Sequence, residues 1–166
     1  MCGFHDARAT VSIERSVLLW CMRLRMVGSR RPLCAQAQID EALTRLGAPE
    51  AVPDFEQFLH VMATDSLRAL DIHCVCWRSV GQDELAVLDV LALAQERLAM
   101  ETLMVLRGLL PPAAAMRARH HAEQVGAALA RAGWFLDAPG PALRHFAMGT
   151  APVAGAPHGP ACEIHH

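Results

Sequence analysis

Apolar positions recur at the period of a helix along most of this chain. Between Ser12 and Val27, the residues Ile13, Val17, Trp20, Leu24 and Val27 follow one another at intervals of four, three, four and three. That spacing lays them on a single helical stripe. Gly28 comes next, a residue that accepts the left-handed conformation in which helices often end, so a helix closing into a Gly28–Pro32 loop is predicted. A second helix, from about Ala35 to Leu46, carries a weaker stripe of Ile39, Leu43 and Leu46 and stops at Gly47 for the same reason. Pro49 and Pro53 bracket a linker. Asp54 then sits near the start of a third helix, in which Phe55, Phe58, Leu59 and Met62 form an aromatic-rich core stripe.

From Ser66 to Val80 the helical period fails. Leu70, Ile72, Cys74 and Cys76 alternate with Asp71, His73, Val75 and Trp77, and a period of two belongs to extended backbone. A lone strand has no partner in this sequence, so an ordered loop with at most one brief pairing is expected. Asp83 and Glu84 then open the longest helical stretch, where carboxylates favour the positive end of the helix dipole. Leu85, Val87, Leu88, Val90, Leu91 and Leu93 cover nearly every side of that helix, the mark of a buried central element. Gln95-Glu96-Arg97 interrupts it, and Met100, Leu103, Met104, Leu106 and Leu110 make a further stripe ended by Gly108 and Pro111. Pro112 suits the first turn of a last helix, along which Ala118, Ala122, Val125, Leu129 and Ala132 again step by four, three, four and three. Gly133 closes it, and Trp134-Phe135-Leu136 is expected to fold back over the bundle end. Residues 137–166 are Pro-, Gly- and Ala-rich without an apolar period. Such a stretch buries too little surface to offset its chain entropy and is expected to be disordered.

The prediction is an all-α protein: a compact bundle of five to six helices over residues 12–136, one short extended segment, a flexible N-terminus over 1–11 and a loose tail. Composition agrees. Hydrophobic residues make up 53% of the chain and aromatics only 5%, so the apolar content is chiefly Ala, Leu, Val and Met, which favour helix over strand.

Charge narrows the partners. The net charge is −2, and all 15 basic residues are Arg, so abundance of Arg says little about phosphate binding. Arg23, Arg25, Arg30 and Arg31 cluster near the end of the first helix, where cations complement the dipole. They are read as solvated capping charge, and no basic stripe suited to nucleic acid is evident. Met1–Thr10 lacks the apolar core of a secretory signal, and Leu85–Leu110 is broken by too many charges to span a membrane. A cytoplasmic location with six reduced cysteines is the resulting expectation.

The most suggestive chemistry lies in His73-Cys74-Val75-Cys76, with His60 upstream. Thiolate and imidazole suit zinc, and His60, His73, Cys74 and Cys76 complete a tetrahedral count. The spacing weighs against it: paired zinc cysteines are usually separated by two to four residues, and an extended run turns His73 away from both thiols. Two small buried cysteines beside a surface histidine is the plainer reading. A redox pair at Cys74 and Cys76 is disfavoured too, since neither has a neighbouring Lys or a C-x-x-C spacing. Asp83 and Glu84 are explained by capping without catalysis, and His120-His121, diverging by about 100° on a helix, by solvent exposure. The tail residues His158, Cys162, His165 and His166 suit adventitious metal binding at most. Glycine-rich phosphate loops, G-x-S-x-G and H-E-x-x-H are all missing.

The run IHCVCWRSVGQDELAVL from Ile72 to Leu88, taken with Glu14-Arg15-Ser16-Val17-Leu18-Leu19-Trp20 and Leu110-Pro111-Pro112, resembles a small uncharacterised bacterial all-helical family. The resemblance spans Ser12 to Leu136. It implies a helical fold and carries no functional residue. The expectation for function is a non-enzymatic helical module acting through contact with itself or another protein, as a homodimer. The motives are the all-round apolar stretch from Leu85 to Leu93 and a mean hydropathy of +0.22. The alternative is a metal- or redox-responsive regulator using the Cys/His cluster at residues 73–76.

Overall fold

The computed structural model describes residues 12–27 and 32–137. They form α1 (Ile13–Val27), α2 (Pro32–Arg45), α3 (Val52–Thr64, entered through a 3-10 turn at Pro49–Ala51), α4 (Gln82–Gln95), α5 (Ala99–Arg107) and α6 (Pro112–Arg131). Among the described residues there is no strand, and the fold is an all-α compact bundle. The expectations for residues 1–11, for Gly28–Arg31 and for the tail beyond Asp137 lie outside the described residues.

Helix boundaries follow local chemistry. α2 begins at Pro32, earlier than predicted, because a proline lacking its N–H is well suited to a first turn. Gly47 and Gly133 follow α2 and α6 in the left-handed region, at φ 73° and 82°, as C-terminal glycines do. The interruption after Gln95 is real: Arg97 adopts φ 61°, and the chain restarts as α5.

α4 is the axis of the bundle. Every residue from Asp83 to Ala94 is buried, with α1, α5 and α6 packed around it. α6 also covers α3, presenting Ala118, Ala122, Val125 and Leu129 as a buried small-residue face. α6 and the end of α4 come close at Gly126. A Cβ there would lie 2.7 Å from the Gln95 Cα and 2.8 Å from its backbone N. The Gln95 side chain fastens the same end of the bundle. Its Nε2 donates to the Trp134 carbonyl at 2.8 Å, and its Oε1 accepts from the Leu136 N–H at 2.7 Å. Of the predicted fold-back Trp134-Phe135-Leu136, Leu136 is buried and Trp134 partly covered, while Phe135 is 66% exposed.

Two stripes differ from expectation. In α1 the predicted stripe is not the core face. Ile13 is 74% exposed and Trp20 37%, with Val17 and Leu24 only partly buried, while Arg15, Leu18, Leu19, Cys21, Met22 and Arg23 face inward. The helix is apolar on two sides, and the charged residues on its inner face decide which side turns in, through the pairs described below. In α5, Leu103 and Leu106 are buried but Met100 and Met104 are 68% and 57% exposed. A short helix lying on the outside of α4 and α6 has one covered side, so the outer half of its stripe meets solvent.

Candidate functional site

The loop between α3 and α4 makes no regular structure. It curls over the N-terminal end of α4 and is held there by two carboxylates, Asp83 and Glu84. Each is in the first turn of α4, and each is buried. Glu84 reaches back to accept the Gly81 N–H at 2.8 Å, the capping contact that an acidic residue at this position supplies. Its other contacts go beyond capping. Arg23, coming across from α1, meets it with a parallel pair of bonds, Nε to Oε1 and Nη2 to Oε2, both 2.6 Å. The same guanidinium donates to the Trp77 carbonyl at 2.6 Å and the Ser79 carbonyl at 2.7 Å. Glu84 Oε1 also accepts the His73 N–H at 3.0 Å.

Asp83 is held similarly. Arg68 donates from Nη1 and Nη2 at 2.7 and 2.6 Å, and the Asp71 N–H at 2.7 Å. Further along α4, the fully buried Asp89 pairs with Arg15 of α1. Arg15 opposite Asp89 and Arg23 opposite Glu84 make α1 and α4 run in opposing directions. These contacts extend one expectation and correct another. Glu84 caps α4 as the sequence predicts, and with Asp83 it also anchors the loop from a buried position, while Arg23 is an internal cation rather than a solvated cap. Arg25 pairs with Glu56 of α3 at 2.6 Å, while Arg30 and Arg31 lie outside the described residues.

The electrostatics suit anchoring and oppose acid–base work. Burial alone drives the Glu84 carboxyl upward, but the Arg23 bonds, the Gly81 and His73 N–H groups and the Arg23 charge together outweigh it, leaving it below the ordinary range. Asp83 follows the same balance: burial pushes up, and the bonds from Arg68 and Asp71 with the Arg68 charge bring it below its usual value. A general acid or base working near neutrality needs a pKa moved toward 7. Both carboxyls move the opposite way.

The four residues considered for zinc are scattered differently from a metal site. His60 is exposed on α3. His73 is half-buried, its Nδ1 3.5 Å from Glu84 Oε2, its Nε2 3.8 Å from Asp71 Oδ2, and its ring 5.4 Å from that of Trp77. Cys74 is half-buried and Cys76 exposed. Among the described residues no three His, Cys, Asp or Glu side chains are gathered so as to hold a metal ion. The alternating pattern does not persist as extended backbone either. The Trp77 N–H donates to the Cys74 carbonyl at 3.0 Å, closing a turn over residues 74–77. His121, expected to be solvated, instead bonds Asp54 through Nδ1 at 2.8 Å and ties α6 to α3, while His120 is exposed.

Sequence reasoning missed Arg15, Arg23, Arg68 and Asp89. Arg15 and Arg23 beside Leu18, Leu19 and Met22 were the available signal, as was Asp89 in an otherwise apolar helix. A charge repeated on a core face needs a buried partner of opposite sign. A cleft of about 850 Å³ lies between the end of α4 and α6, lined by alanines with Gln95, Arg97, Glu123, Gln124 and Arg131. Among the described residues no helix is long and apolar enough to cross a membrane. Comparison of the chain with protein-family models, with curated proteins and with solved structures finds no match in any of the three.

Proposed function

We propose that this chain is a non-enzymatic helical module that works through protein contact, its partner being a second copy of itself. The observation that carries the reading is the outer face of α1. Ile13 and Trp20, 74% and 37% exposed, lie seven positions apart on a helix otherwise packed on α2, α3 and α4, with Val17 and Leu24 beside them partly covered by the core. That is the spacing of a left-handed helix–helix seam, and a second α1 is a surface with the same spacing. Two symmetry-related copies make such a patch self-complementary. α4, whose all-round apolar character motivated the same expectation, is not the source of the surface. It is covered within one chain.

α1 has 15 residues, a seam about 22 Å long at 1.5 Å per residue. A contact of that length falls at the small, reversible end of interface sizes, so association in about the micromolar range is expected. Light scattering on the full chain across a dilution series tests this. A mass that rises to twice that of the chain, and stays at one chain in Trp20→Glu, supports the reading. A wild-type protein of single-chain mass at every concentration overturns it.

A further inference from the structure

We propose that the cleft between the end of α4 and α6 binds a small organic carboxylate, its apolar body against the alanines and its anionic end on Arg97. Self-association through α1 plays no part in this reading. Three helices of the bundle end in the same way, each with two bonds that turn the chain back onto the last helical turn. After α2 the Gly47 and Ala48 N–H groups donate to the Thr44 and Leu43 carbonyls. After α4 Arg97 and Leu98 donate to Ala94 and Leu93, and after α6 Gly133 and Trp134 donate to Ala130 and Leu129. This is the paired pattern of a helix end with a left-handed residue. That residue has φ 73° at Gly47, 61° at Arg97 and 82° at Gly133. Glycine takes the conformation without steric cost, whereas a residue with a Cβ is strained in it. Two of the three ends use glycine. The third carries an arginine, and it is the one that lines the cleft. Backbone chemistry favours glycine at all three, so position 97 holds its guanidinium at a cost.

Charge and lining select the ligand class. The cleft, about 850 Å³, is within the size range of small-molecule sites, roughly 300–1,000 Å³. Ala94, Ala99, Ala127 and Ala130 give it an apolar wall. Three charged residues share the lining, and two of them are already answered. Glu123 faces Arg119 at 3.4 Å, and Arg131 holds Glu50 at 2.7 Å. Among the described residues the Arg97 side chain has no hydrogen bond or ion pair, which leaves one positive charge over. The carbonyls at the ends of α4 and α6, which would repel an anion, are taken by the N–H groups named above. Ala99 also brings the positive end of α5 to the same space. A planar guanidinium is matched to a carboxylate through two parallel bonds. Each methylene laid against the alanines adds up to about fourfold in affinity.

The test titrates butanoate, hexanoate and octanoate into the isotopically labelled full chain at neutral pH and follows its amide resonances, with hexanol as the uncharged control. Saturable shifts are expected at Ala94, Arg97, Ala99, Ala127 and Ala130, with affinity rising along the series and hexanol binding more weakly than hexanoate. Arg97→Gly separates the side chain from the backbone it sits on. The variant should melt at a higher temperature, because the left-handed position is relieved, and should bind hexanoate about tenfold more weakly or worse, since a charged hydrogen-bonding partner is gone. The proposal is overturned if none of the three carboxylates gives saturable shifts in the cleft, or if hexanol binds as well as hexanoate. It is overturned equally by an Arg97→Gly chain that keeps wild-type affinity, or by one that melts at a lower temperature, which would make Arg97 a structural residue.

Discussion

Arg23 and Glu84 stand 61 positions apart in sequence and meet through two parallel hydrogen bonds of 2.6 Å in the interior. A planar guanidinium is matched to a carboxylate in this geometry, and two further donors take the Trp77 and Ser79 carbonyls. One side chain thus joins α1, the loop before α4 and the first turn of α4.

Removing that cation should be costly. Arg23→Ala leaves Glu84 buried without its partner, and breaking a buried pair in this way costs about 3–5 kcal/mol. Urea unfolding of the variant should show a correspondingly lower midpoint. Arg23→Lys, which has one ammonium in place of a fork, should fall between the two. An Arg23→Ala midpoint equal to wild type contradicts the anchoring role.

Acid should unfold the protein through the same groups. Asp83 and Glu84 both have folded-state pKa values below their ordinary ones. Near pH 4 the unfolded chain therefore binds more protons than the folded one, and stability rises with pH there. The contribution is complete above the unfolded values of about 3.9 and 4.3 and is lost as pH falls through the folded ones. Asp83→Asn should flatten the stability profile below about pH 5, and identical slopes for the variant and wild type count against the assignment.

Close approach of α6 to the end of α4 depends on a missing side chain. Gly126→Ala sets a Cβ against the backbone of Gln95, an obstacle that cannot rotate away. Overpacking of this sort costs about 1–3 kcal/mol, despite the gain in helix propensity that alanine brings. A lower thermal midpoint is expected. A higher one would mean that the helices part without penalty.

How much of this was readable in advance depends on what each residue answers to. The stripe Ala118, Ala122, Val125 and Leu129 is buried as its period demands, and the break at Gln95–Arg97 and the glycine stops are local matters of backbone chemistry. α1 failed the same test because it carries two apolar faces. Periodicity ranks both alike, and the choice rests on Arg15 and Arg23 finding Asp89 and Glu84, partners far away in sequence. The loop was legible as a loop, yet the turn at 74–77 and its anchoring to Arg23 follow from those same distant contacts.

Trp20 reports on the central claim directly, because it lies in the middle of the outer seam of α1. Fluorotryptophan incorporated into the full chain gives a fluorine resonance for each of Trp20, Trp77 and Trp134, with the first assigned by Trp20→Phe. On dilution through the micromolar range, the Trp20 resonance should move as the chain mass falls from two copies to one, while Trp77 and Trp134 stay in place. A Trp20 resonance indifferent to concentration, whatever the mass does, would contradict the account.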